Sequence, residues 1–231
     1  MSTPEQLFAQ LVATQPTRPF VTYYDEASGE RTELSVRSLA NWVAKTHFLL
    51  LDELGLGVGD TAAIALPPHW LSVPVLLGCL SAGLALQPGG DGDVAFVTAD
   101  SVGAATGADV YAVGSGLTAA VGFRDAPPAG TADYVAAVRP QADAWASVRM
   151  PGSVDDPCLP GLTRGEAIER AGGLADGARV LTTRDWATPQ DWIDTLFAAL
   201  AAQGSLVYVR NCADAAVLDR RTEQERATVR I

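Results

Sequence analysis

"DTAAIALPPHWLSVPVLLGCLSAGLALQP", residues 60–88, decides the fold class. The opening run "TAAIAL" is short and apolar without alternation, the pattern of a strand buried on both faces of a parallel sheet. Pro67-Pro68 ends it, a helix follows through about Leu80, and "LALQP" reads as the next strand. A strand, a covering helix and a second strand make a right-handed parallel unit. The same stretch is the most apolar of the chain. Pro74 and its glycine and serine breaks keep it short of the roughly 20 uninterrupted apolar residues that a membrane helix needs. It therefore predicts a buried helix leading into a strand.

Downstream, "VAFVTA" and "DVYAVG" continue as strands, with a small helix expected around Ser101–Gly107. The Pro/Ala/Gly-rich span "RDAPPAGTADYVAAVRPQADAW" reads as a long surface connection. Regularity then resumes. A helix is expected over Arg164–Leu174, a strand at "ARVLTT", and a helix from Thr188-Pro189 to near Gly204. "SLVYVR" is a strand, "AAVLDRRTEQER" a helix and "ATVRI" a last strand. Upstream, Thr3, Pro4 and Gln6 form a helix start of the capping-box type. "PFVTYYD" and "RTELS" read as a hairpin, and Ser35 caps a longer helix stopped by Gly55 or Gly57. The alternation predicts an α/β fold with largely parallel sheets flanked by helices.

The chain has 231 residues and a net charge of −11. A nucleic-acid interface needs a basic stripe, and none is present, so nucleic acid is excluded as a partner. The N-terminus has neither a basic region nor an apolar signal core, so the expected location is cytoplasmic. Cys79, Cys158 and Cys212 are odd in number and spaced unlike a zinc site, and read as reduced thiols. Lys45 is the only lysine; the other basic residues are arginines.

No catalytic, cofactor-binding or metal constellation emerges. "GLGVGD" (Gly55, Gly57, Gly59) follows a helix and opens a strand, the reverse of a dinucleotide fingerprint, and reads as a helix stop. "PGGDGD" (Pro88–Asp93) reads as a strand-exit turn, with too few oxygen ligands for calcium. "GSG" at Gly114–Gly116 lacks the lysine of a phosphate loop. His47 and His69 have no carboxylate or cysteine at a dyad spacing, and both read as structural or surface residues. Trp186 and Trp192 flank a helix mouth, where they either pack in the core or line a residual pocket.

Taken in order, "RTELSVRSLANWVAKTHFLL", "GVGDTAAIALPP" and "GCLSAGLALQPG" resemble the opening of the adenylate-forming superfamily, which contains acyl-CoA synthetases, peptide-synthetase adenylation domains and luciferases. Leu34, Leu39–Asn41 and Ala44 match its "E-L-x-x-x-a-N-x-v-A" helix. Gly59–Pro67 match "G-D-x-V-A-i-x-l-P", and Gly78, Ala82, Gly83 and Pro88 match "G-a-l-x-a-G-a-x-x-x-P". The stretch from Gly161 to Ile231 resembles the segment after that family's phosphate loop, with Thr163 and Arg164 where a Thr-His pair would stand. The resemblance implies two packed lobes, one over about 50–155 and one from about 1–49 with 160–231.

The family loop, T-S-G-T-T-G-x-P-K-G, would fall between Cys158 and Thr163. Leu159, Pro160, Gly161, Leu162, Thr163 and Arg164 occupy that place instead. A phosphate cradle needs hydroxyls, free backbone N–H groups and a cation. One proline and one glycine do not supply them, and Lys45 matches no family lysine. The resemblance also implies that the adenine and ribose pocket, and a small domain with a catalytic lysine, come after the position of Ile231. Adenylation is therefore not expected, and no cofactor is. The expected function is a non-catalytic role through a partner, either a homodimer built on residues 186–231 or a complex with a full-length enzyme. The alternatives are a module binding an acyl or related acid, or a residual AMP-binding, ligase-like activity. The turn at 159–164 is expected to be tight, with Thr163 and Glu166 boxing the following helix.

Overall fold

Two five-stranded sheets carry the fold in a computed structural model that describes residues 2–116 and 119–231. The chain opens with α1 (Pro4–Thr14), whose capping box pairs Thr3 and Gln6 in both directions. The hairpin of β1 (Pro19–Asp25) and β2 (Glu30–Ser35) follows, then α2 (Val36–Phe48), capped by Ser35. A π-helical turn, Leu49–Glu53, extends α2 before Gly55 stops it at φ +69°.

The stretch that decided the fold class becomes β3 (Thr61–Ala65), α3 (Ser72–Ala82) and β4 (Ala85–Pro88). Every residue of α3 is buried, and Gly83 closes it in the left-handed region. After it come β5 (Gly90–Asp91), β6 (Val94–Val97), β7 (Ala105–Thr106) and β8 (Asp109–Ala112), then β9 (Ala132–Asp133) and α4 (Tyr134–Val138). One sheet is wholly parallel in the order β4-β3-β6-β8-β9.

Two expectations for this region need correction. Residues 101–107 do not form a helix: a single 3-10 turn spans Ala99–Ser101, and β7 pairs with β5. Ser101 is responsible, because its hydroxyl donates to Ala65 O and caps the turn at Thr98. The span 124–145 is not merely a surface connection. It supplies the edge strand β9 and the helix α4, whose Tyr134, Val135 and Val138 are buried. Tyr134 pays for burial by sharing a 2.7 Å hydrogen bond with the Thr46 hydroxyl on α2.

The chain then forms the hairpin β10 (Pro157–Leu159) and β11 (Leu162–Thr163), and α5 (Arg164–Arg170), which ends short of the expected Leu174. β12 (Arg179–Thr182) leads to α6 (Pro189–Trp192), a π-helical turn and α7 (Ala198–Ala201). The last elements are β13 (Ser205–Arg210), α8 (Ala215–Gln224) and β14 (Val229–Arg230). The second sheet has the order β14-β12-β13-β1-β2, parallel except for β2. Its centre joins the two ends of the chain, with Val21 opposite Leu206.

One apolar cluster takes Phe20, Val21 and Leu206 from this sheet, Ala62, Ile64 and Phe96 from the other, and the buried faces of α1, α2 and α3. Where α2 crosses α3, Gly78 leaves no room for a side chain, since a Cβ there would stand 2.4 Å from Thr46 Cβ. No helix among the described residues is long and apolar enough to cross a membrane.

Candidate functional site

Residues 159–164 form the connection between β10 and β11 and the start of α5. Leu159 pairs with Leu162, so only Pro160 and Gly161 make the turn. Proline suits the first corner of a type II turn and glycine the second, where φ is positive; Gly161 has φ +73°. The hairpin is as tight as two residues permit.

A helix start leaves four N–H groups without intrahelical partners, and these are what an anion would use. In α5 the protein itself takes all four. Thr163 N–H donates to Glu166 Oε2 (2.9 Å), and Glu166 N–H donates to Thr163 Oγ1 (3.3 Å). Arg164 N–H donates to Asp156 O (3.0 Å) and Gly165 N–H to Val154 O (2.9 Å). The hydrogen bonds from the Thr163 backbone and hydroxyl hold the Glu166 carboxyl below the usual carboxylate range, so it stays anionic. The shallow groove beside the hairpin carries Asp155 and Glu166 and no basic side chain. Its field repels phosphate.

Arg164, which the resemblance sets where a histidine is expected, points away from this groove. Its side chain is fully buried. Nη1 donates to Glu5 Oε1 (2.6 Å) and Leu80 O (2.8 Å), and Nη2 to Leu84 O (3.0 Å). The guanidinium thus pins the first turn of α1 to the end of α3, with Gly152 packed so closely that a Cβ there would stand 2.9 Å from Cζ. Cys158 is buried beside the pair, and burial pushes its thiol up to about 12, which keeps it a neutral, unreactive hydrophobe. Nothing in the sequence signals that Glu5 is the partner of Arg164, because an acid in the first turn of a helix normally faces solvent.

A second buried pair also escapes sequence reading. His69 lies just before α3 and Glu30 opens β2, and both are almost fully buried. His69 Nδ1 lies 3.2 Å from the Leu71 N–H, and its Nε2 stands 3.6 Å from Glu30 Oε1. Trp70 Nε1–H donates to the same carboxylate oxygen (3.0 Å). Burial opposes ionisation of Glu30, but its contacts with His69, Trp70 and Thr32 outweigh it and hold the carboxyl below its ordinary range. His47 is buried against Ser81, and burial lowers its pKa. Trp186 and Trp192, the two residues proposed for a residual pocket, are buried in the core. Trp186 Nε1–H donates to Thr195 Oγ1 (3.1 Å), and its ring meets Tyr208 edge-on. Among the described residues no three His, Cys, Asp or Glu side chains converge as a metal site would require.

No family model matches the chain. Over 245 residues it is 39% identical to a TIGR03089 family protein of Mycobacterium tuberculosis, and the match covers 99% of each chain. Its fold is similar to the acyl-CoA synthetase of Brucella canis, with a TM-score of 0.79 at 15% identity. It is also similar to the acetoacetyl-CoA synthetase of Streptomyces lividans, with a TM-score of 0.77 at 19% identity. In each case 99% of this chain is covered, and it spans 47% and 42% of those enzymes' lengths. The architecture is thus that of part of an adenylate-forming, acyl-CoA synthetase-like enzyme.

Proposed function

We propose, for a chain that belongs to the TIGR03089 family, a non-catalytic role in which an adenylation-domain-like fold works through a protein partner. The observation that carries this reading is the hairpin at Leu159–Leu162. All four N–H groups at the start of α5 are occupied, the Arg164 guanidinium is buried against Glu5, and the adjoining groove is acidic. A phosphate would have to displace protein acceptors there and face two carboxylates without a cation, so this turn offers a nucleotide phosphate no favourable contacts.

The partner we favour is a second copy of the chain. Among the described residues β14 pairs only with β12, and Ile231 beside it is exposed. The neighbouring groove adds the half-buried Leu174, with Arg170, Arg184 and Asp194 around it and the buried Ile193 and Ala198 at its floor. A free strand edge next to apolar side chains is a surface that proteins commonly cover by symmetric pairing.

The test of the non-catalytic reading is ATP with magnesium in a thermal-shift assay, followed by acid-dependent pyrophosphate exchange. A ligand at 100 times its dissociation constant adds about 2.7 kcal/mol, readily seen as a shift in Tm. We expect no saturable shift at millimolar ATP and no exchange; either signal refutes the reading. Light scattering at micromolar concentration tests the partner. A dimeric mass supports self-association, and a monomeric one leaves a full-length adenylate-forming enzyme as the partner to seek.

A further inference from the structure

The only lysine of the chain does not take part in the hairpin, and its place in the fold suggests another use. Lys45 sits on α2, one turn beyond Trp42 and two beyond Ser38, so these side chains share one helix face. Its Nζ donates to Gln141 O (2.7 Å) and Arg139 O (3.2 Å). Those carbonyls belong to the end of α4 and the segment after it, so the ammonium fixes residues 139–143 across the face of α2. The result is a cleft of 370 Å³ lined by Ser38, Asn41, Trp42, Lys45, Arg139 and Asp143.

The chemistry of these walls is specific. The Trp42 indole is half-buried and held edge-on against Trp70, which gives the cleft one flat, rigid, apolar wall. Arg139 is exposed, and among the described residues its guanidinium has no ion-pair partner and makes one long hydrogen bond, 3.4 Å, to Ala120 O. Asp143 is 4.0 Å from Lys45. Two cations and one carboxylate leave the cleft positive in a chain whose net charge is −11. Ser38 and Asn41 add neutral hydrogen-bonding groups. Its volume falls within the range of about 300–1,000 Å³ common for small-molecule sites.

We propose that this cleft binds a small planar organic anion, with the ring against Trp42 and the negative group on Arg139. A cation is disfavoured by the two basic groups, and a wholly apolar ligand would leave Arg139 without the counter-charge that an anion brings. Nothing in this proposal depends on the hairpin at 159–164, which shares no lining residue with the cleft.

The experiment uses the full chain and 1-naphthoate as probe, with the neutral 1-naphthalenemethanol as its uncharged counterpart. Binding is followed by ligand-observed NMR. Lys45 is the only lysine, so acetylation by an N-hydroxysuccinimide ester can label only this side chain and the α-amino group, resolved by mass spectrometry. We expect saturable naphthoate binding and slower acetylation of Lys45, with the α-amino group unaffected. Arg139→Gln, at an exposed position and checked for an unchanged circular dichroism spectrum, should weaken binding roughly tenfold or more, the scale of one charge-assisted hydrogen bond. The neutral probe should bind weaker by a similar factor. The proposal is overturned by no saturable binding up to about 5 mM naphthoate, by equal binding of the neutral probe or the Arg139→Gln variant, or by unprotected Lys45. None of these outcomes bears on ATP binding, so the non-catalytic reading stands or falls separately.

Discussion

Replacing Arg164 with methionine tests whether the residue beside the hairpin is a structural pin. The substitution keeps most of the stem volume but removes the charge from a site with no solvent access, leaving the Glu5 carboxylate, 1% exposed, without its cation. Breaking a buried pair from one side costs about 3–5 kcal/mol. Leu80 O and Leu84 O also lose donors, although Leu80 O keeps the Gly83 N–H at 3.1 Å. A loss of about 4 kcal/mol is a large share of the roughly 5–15 kcal/mol typical of a folded protein. At this chain length it corresponds to a fall in Tm of about 10 °C. The double variant Glu5→Leu/Arg164→Met removes both charges, and only the carbonyl deficit of about 1–2 kcal/mol should remain. Urea unfolding followed by tryptophan fluorescence measures both. A single variant within about 1 kcal/mol of the parent, or a double variant no more stable than the single, would refute the reasoning.

Gly78→Ala should destabilise by about 1–3 kcal/mol through the clash with Thr46, although an alanine elsewhere in a helix normally stabilises by up to about 1 kcal/mol; urea unfolding gives the sign. Thr163→Ala removes one hydroxyl of the capping box on α5 and should cost about 1 kcal/mol in the same assay. Glu225, just after α8, is held by Tyr24, Arg31 and Arg179. Burial opposes its ionisation, but these hydrogen bonds prevail and keep its carboxyl below the ordinary range. A lowered folded pKa means stability that is present at neutral pH and lost as pH falls through that value. The parent should therefore exceed Glu225→Gln in stability at pH 7, with the gap closing below roughly pH 4. A constant gap across that range would disprove it.

The parallel sheet around residues 60–112 was legible because runs such as "TAAIAL" and "VAFVTA" are apolar without alternation, and helix starts announced themselves through Thr3, Ser35 and Thr163. What stayed hidden depends on partners far along the chain. Alanine-rich "ADYVAAV" has too little periodicity to show that Tyr134 finds Thr46, 88 residues away. Around Ser101 the side-chain hydroxyl bonds to Ala65 O, 36 residues earlier, and a turn stands where the sequence suggests a helix. The hairpin was readable because Pro-Gly dictates its own turn, whereas the partner that turns Arg164 inward lies 159 residues earlier. The pairing of His69 with Glu30 has the same origin, a contact between two elements that neither local spacing nor residue type connects.

The placement of β13 between β1 and β12 has a consequence for how the protein is made. β1 and β2 leave the ribosome early, but β1 has one unpaired edge until Ser205–Arg210 arrives, about 170 residues later. At translation speeds of ~5–20 residues per second, the nascent chain carries that open edge for roughly 10–30 seconds. Its second sheet cannot close during that interval, however favourable the local sequence. Until residue 205 is made, the nascent chain keeps a strand edge of the kind that favours aggregation, and pairing with β13 removes it in one late step.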